Sequence, residues 1–212
     1  MSIVYFAIVF LGVFAYLYFF WKRLKEDYTP LQIFSAGFYI LIGIFMGFMV
    51  SKLLIAKWFL GFSLYEPGVH FWLSALGSFG GFILALVKFR LKFFETFEAY
   101  GVGLLFLVLA VFITDTFSSL SMVSLVGSTA VALLLVLFYF LETKYKNLRW
   151  YKSGKVGFSG LVTLGIFFLV RGSVALKFDF VLTFLGRIES LISLILTFFM
   201  FLAVYNLSGQ KN

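Results

Sequence analysis

The chain has 212 residues, of which 63% are hydrophobic and 12% charged, and its formal net charge is +8. A water-soluble globule of that size needs more polar cover, so lipid is the natural solvent; the basic residues lie in short loops between apolar runs and form no face that would track a nucleic-acid backbone. Cysteine is absent and histidine occurs once, which excludes a thiolate nucleophile, disulfides, and cysteine or multi-histidine metal sites.

A membrane-spanning helix takes about 20 mostly apolar residues. Lipid offers no hydrogen-bond partners, so each such stretch is expected to be helical. The first, Ile3–Trp21, has no basic residue before its apolar core and is followed by Lys22 and Arg23, so it reads as a retained helix rather than a signal peptide. The second is Leu31–Val50, entered at Pro30, where the missing N–H costs nothing. Gly43 and Gly47 lie four apart on one of its faces, a spacing that lets a neighbouring helix approach closely. The third, Gly68–Leu86, follows Pro67, and its Gly77, Gly80 and Gly81 carry the same packing expectation. Glu95 and Glu98 follow Lys92 on what reads as a short amphipathic link. The fourth span, Ala99–Ile113, continues to about Phe117; Asp115 in "ITDTFSS" is expected to be a turn residue or the cap of the fifth span, Leu120–Leu141. The loop "KNLRWYKSGK" is suited to anionic headgroups. Gly157–Leu176 and Ile188–Leu207 complete the set.

Basic residues fix the expected orientation, because cytoplasmic loops carry more of them. Twelve lie on one side: Lys22, Arg23 and Lys25; Lys88, Arg90 and Lys92; Lys144, Lys146, Arg149, Lys152 and Lys155; and Lys211. Five lie on the other: Lys52, Lys57, Arg171, Lys177 and Arg187. The reading is a single all-α domain, residues 1–212, a polytopic membrane protein with seven transmembrane helices, its N-terminus outside and its C-terminus cytoplasmic.

The outer cations raise the question of function. Arg171 lies about five residues inside the end of its span, roughly 8 Å at the helical rise. Either the side chain snorkels to the headgroups, or it faces the bundle and grips a lipid phosphate through paired N–H donors. Lys177, Arg187 and Lys52 are further candidates for holding an anionic headgroup, with Glu66, Asp115, Asp179 and Glu189 as acidic neighbours on the same side. Lys177 and Asp179 are placed to meet across a turn. His70, beside Trp72, is a candidate proton carrier, with Glu66 as its candidate partner, and Asp115 is a candidate general base.

Several phrases, in order, resemble the prolipoprotein diacylglyceryl transferases of bacterial inner membranes. "GIFMGFMVSKLL" at Gly43–Leu54 is similar to that family's glycine-rich second span, and "FFETFEAY" at Phe93–Tyr100 to the opening of its fourth, with Glu98 in place of an Asp. "GKVGFSGLVTLGIFFLVRG" at Gly154–Gly172 resembles its sixth-span entry ending in Arg, and "LGRIESLISL" at Leu185–Leu194 the start of its last span. The resemblance implies transfer of a diacylglyceryl group from phosphatidylglycerol to a Cys of a lipoprotein precursor at the outer face. It implies an anionic phospholipid and a lipoprotein signal peptide as partners, no metal and no cofactor. Arg171 matches the sixth-span Arg. The family's Gly-Gly-Arg falls here on Gly47, Phe48 and Met49, and its Arg- and Asn-bearing phrase on "FITDTFSSL", where only Asp115 stands near the pattern, in place of an Asn, so neither Arg has a counterpart. Two other readings stand beside it. One is a non-catalytic relative that holds lipid or a membrane partner. The other is a small transporter or channel, which calls for polar mid-membrane residues and often inverted repeats.

Overall fold

The computed structural model describes residues 2–58, 66–145, 151, 157–177 and 187–209. Among them the chain forms seven helices: α1 (Ser2–Leu24), α2 (Pro30–Trp58), α3 (Glu66–Phe89), α4 (Phe93–Ser119), α5 (Met122–Lys144), α6 (Phe158–Lys177) and α7 (Arg187–Gly209). All seven are long and apolar enough to cross a membrane. They alternate in direction, so the connections after α1, α3 and α5 share one end. That end carries most of the loop cations and is called the basic end below.

Local chemistry explains several boundaries. Thr29 and Gln32 cap the start of α2 reciprocally: the Thr29 N–H donates to Gln32 Oε1 at 3.1 Å, and the Gln32 N–H to Thr29 Oγ1 at 3.5 Å. Pro30 occupies the first helical position, as expected. Ser121, not Asp115, caps α5, accepting from the Ser124 N–H at 3.4 Å. Asp115 lies inside α4, so the expectation of a turn or cap there is corrected. The link expected at residues 92–98 is also absent: α4 begins at Phe93 and contains both Glu95 and Glu98. Apolarity alone started the fourth span at Ala99, but a glutamate can enter a spanning helix where neighbouring helices supply its partners.

The bundle is built around α4, which packs on α1, α5 and α6 and touches α3. Tyr16, Phe20 and Leu24 of α1 are buried on one face, whereas Phe6, Phe10 and Phe14 face outward at four-residue spacing. The outer surface of α1 is therefore as apolar as its core face, as a lipid solvent allows. The α2–α3 and α6–α7 hairpins are the closest-packed pairs beside this core.

In α2–α3 the helix backbones themselves touch. A Cβ added at Gly43 would overlap the Gly77 carbonyl, and one at Gly47 would overlap that of Leu73; Gly77 and Gly81 meet Gly43 and Tyr39 in the same way. The expected close approach holds for these four. Gly80 points elsewhere, into open space, so its packing role is corrected. The α2–α3 hairpin joins the rest near the basic end. There Gly37 receives Leu17 and Phe20 of α1. Ser78 Oγ bonds Tyr100 Oη at 2.8 Å, and Phe82 stacks on the Tyr100 ring at 4.7 Å.

Candidate functional site

The α6–α7 seam is polar along its length. Thr197 Oγ1 donates to Ser193 O at 2.9 Å and lies 3.4 Å from the Gly165 carbonyl, and Ser190 Oγ donates to the Gly172 carbonyl at 2.8 Å. Glycines at 165 and 172 let α7 approach, and Leu194 and Ser190 stand against Gly172. Small residues and hydroxyls are the usual adhesive between helices in lipid, where apolar surface gives no preference for protein over solvent.

Arg171 completes this seam. Its side chain is almost wholly buried, at 4% exposure, so it faces the bundle rather than snorkelling. Its guanidinium pairs with Glu189, which is fully buried, and Nη1 donates to Ser193 Oγ at 3.3 Å. Its other face lies over two rings of α3, 3.9 Å from the centre of Phe71 and 4.8 Å from that of Trp72. A cation over an indole or phenyl face is attracted by the ring quadrupole, the more strongly when water is excluded. The backbones of α3 and α6 are not packed along their length. Arg171 and its two rings are therefore where the α6–α7 hairpin meets the far half of α3.

The other described candidates have contacts of their own. His70 Nδ1 bonds Ser51 Oγ of α2, and its ring lies 5.0 Å from that of Phe48. Ser51 also donates to the Phe48 carbonyl at 2.6 Å. Asp115 accepts from the Ser124 hydroxyl within the α4–α5 hairpin. Lys52 is exposed, its ammonium 4.7 Å from the Phe48 ring centre. The side chains of Lys177, Arg187 and Glu66 lie outside the described residues, as does Asp179. The structure thus brings Arg171, Glu189 and Ser193 together with Phe71 and Trp72, and sets His70 against α2.

A second polar centre, which the sequence reading missed, joins four helices at the basic end. Arg23 of α1 reaches Glu98 of α4 at 3.2 Å and Glu142 of α5 at 2.7 Å. Ser159 of α6 lies 2.9 Å from Glu98 Oε1 and 2.5 Å from Glu142 Oε2. Glu98 is fully buried, and Gly160 makes room for it: a Cβ there would stand 2.6 Å from Glu98 Cγ. Gly157, with φ of +110°, turns the chain into α6 in a conformation that disfavours any side chain. Tyr145, Tyr151 and Phe158 pack beside the cluster, Tyr151 and Phe158 with ring centres 4.5 Å apart. Burial pushes the Tyr145 phenol above its ordinary pKa. The sequence signal for this centre was one glutamate immediately before the apolar run that starts at Ala99.

Among the described residues no group of three or more His, Cys, Asp or Glu is placed to hold a metal. No family model, no curated protein and no solved structure matches the chain.

Proposed function

We propose that this chain is a multi-pass protein of a bacterial inner membrane, N-terminus outside, that handles an anionic phospholipid with Arg171 as the headgroup ligand. The supporting observation is Arg171 itself: a buried guanidinium near the end opposite the basic loops, held over Phe71 and Trp72 where two hairpins meet without backbone packing. A guanidinium has five donors in a planar fork and pairs a phosphate in two parallel bonds. The headgroup phosphate takes the place of the Glu189 carboxylate in that fork. Trp72 and Phe71 form one wall of the entry, and the acyl chains stay in the surrounding bilayer.

The resemblance to the diacylglyceryl transferases supplies the corresponding reaction, transfer from phosphatidylglycerol to a lipoprotein-precursor Cys. That reaction needs a base for the thiol beside the phosphate ligand. His70 is turned to Ser51 and Asp115 to Ser124, which favours the second reading, lipid holding without transfer.

Purified protein in vesicles of phosphatidylglycerol and phosphatidylcholine tests both. Arg171→Ala is expected to bind phosphatidylglycerol at least tenfold more weakly than the unsubstituted chain, and equal binding would end the proposal. Labelled diacylglyceryl appearing on a Cys-bearing signal peptide would establish transfer; bound lipid without transfer would leave holding alone.

A further inference from the structure

The basic-end cluster carries an inference that does not depend on Arg171. Ser159 has one hydroxyl hydrogen and two carboxylate neighbours, at 2.9 Å and 2.5 Å. It donates to one of them only. At such a distance the other contact needs a hydrogen on the carboxyl side, since two lone pairs would repel. The Oε2 atom of Glu98 is buried and has no partner among the described residues.

The charges agree with this count. Around Glu98 stand Arg23 from α1, Glu142 from α5, Tyr145 just past the end of α5, and Ser159 from α6. On α4 itself, Glu95 lies one turn earlier and pairs with Lys92. Two ionised carboxylates against one guanidinium would leave a net negative charge where Glu98 is fully buried, at a high cost. Two carboxyl groups that share one hydroxyl and one guanidinium hold a proton between them rather than ionise together.

We propose that Glu98 and Glu142 form a proton-binding site, holding one proton between them through the Ser159 hydroxyl and balanced by Arg23. Glu142, about a quarter exposed, is the route to water at the basic end. When the proton leaves, the second carboxylate charge repels the first and Ser159 loses one of its two bonds. Gly160 then no longer holds the α6 backbone against a neutral side chain. Proton occupancy thus sets how tightly the basic end of α6 is clamped to α1, α4 and α5.

Infrared difference spectroscopy of the whole chain tests this in maltoside micelles, whose heads carry no carbonyl. A protonated-carboxyl C=O band, shifted by deuterium, is expected at neutral pH and should disappear as the pH is raised. Glu98→Gln and Glu142→Gln should each abolish it, because the remaining carboxyl then pairs with Arg23 alone. Absence of the band at neutral pH, or its survival in either variant, would overturn the proposal. The amide of Glu98→Gln mimics the protonated form, so that variant should keep its thermal midpoint at alkaline pH while the unsubstituted chain loses some. An identical alkaline decline in both also overturns the proposal. Should a Gln variant fail to fold, the pH-dependent band of the unsubstituted chain decides alone, its absence being the refutation.

Discussion

Gly43 of α2 and Gly77 of α3 stand with each Cα against the other's carbonyl, so neither position has room for a methyl group. Two long apolar helices gain little from burying side chains against each other in lipid, where the tails are equally apolar. Backbone contact is what distinguishes this pair from its surroundings, and it fixes their register.

The glycines of this hairpin should therefore respond in opposite directions to the same change. Gly77→Ala forces the backbones apart and is expected to cost about 1–3 kcal/mol, the usual range for overpacking. Gly80→Ala faces open space in a helical conformation and should stabilise by about 0.5–1 kcal/mol. Unfolding in mixed micelles with increasing dodecyl sulfate measures both. Equal effects would show that the two helices do not meet along this face.

Removing one member of the Arg171–Glu189 pair leaves the other charged and buried. Arg171→Met is expected to cost about 3–5 kcal/mol for that reason. The double variant with Glu189→Leu should recover most of the loss, since both charges are then gone. A double-mutant cycle on the same unfolding assay reads the coupling. Strict additivity would mean that the two side chains act independently.

The joint between α3 and α4 rests on one side-chain hydrogen bond beside stacked rings. Tyr100→Phe keeps the stack on Phe82 and removes only the bond to Ser78. The expected loss is about 0.5–1.5 kcal/mol, because Ser78 still donates to the Ala75 carbonyl at 2.7 Å. The Ser78→Ala, Tyr100→Phe pair should cost less than the sum of the singles. A full sum would place the bond outside the energetics of the joint.

Orientation is open to direct labelling, because the chain has no cysteine of its own. Ser119→Cys, at the end of α4, should react with an impermeant maleimide in intact cells, and Lys25→Cys only after permeabilisation. The reverse pattern would put Arg171 on the cytoplasmic side and remove the basis for an outer-leaflet headgroup.

The seven spans were legible because a spanning helix is a local property of composition, and the loop cations repeat their bias at each turn of the chain. Gly43, Gly47 and Pro30 were legible for the same reason: spacing and position carry their meaning. Glu98 was not. Its burial depends on Arg23, Glu142 and Ser159, which belong to three other helices, and hydropathy counts a glutamate only as a penalty. Gly80 was misjudged because Gly77, Gly80 and Gly81 share one helix face by spacing, and spacing does not say how far round that face the α2 backbone reaches. Asp115 was taken for a cap although Ser121 stands closer to the start of α5. Arg171 stood out as an anomaly in its span, but nothing near it in sequence announces Phe71 and Trp72.

The polar seam of α6 and α7 bears on how the chain is made. Released into the bilayer by itself, α6 would carry a bare guanidinium, a penalty that reaches about 2.5–3.5 kcal/mol at the membrane centre and is smaller toward the end of the span where Arg171 lies. Glu189, the counterion, belongs to the helix synthesised next. The insertion machinery is thus expected to retain α6 until α7 has emerged from the ribosome, so that the two partition into lipid as one hairpin. Truncations ending before Arg187 should leave α6 accessible to crosslinking at the translocation channel, and Arg171→Leu should let it depart early.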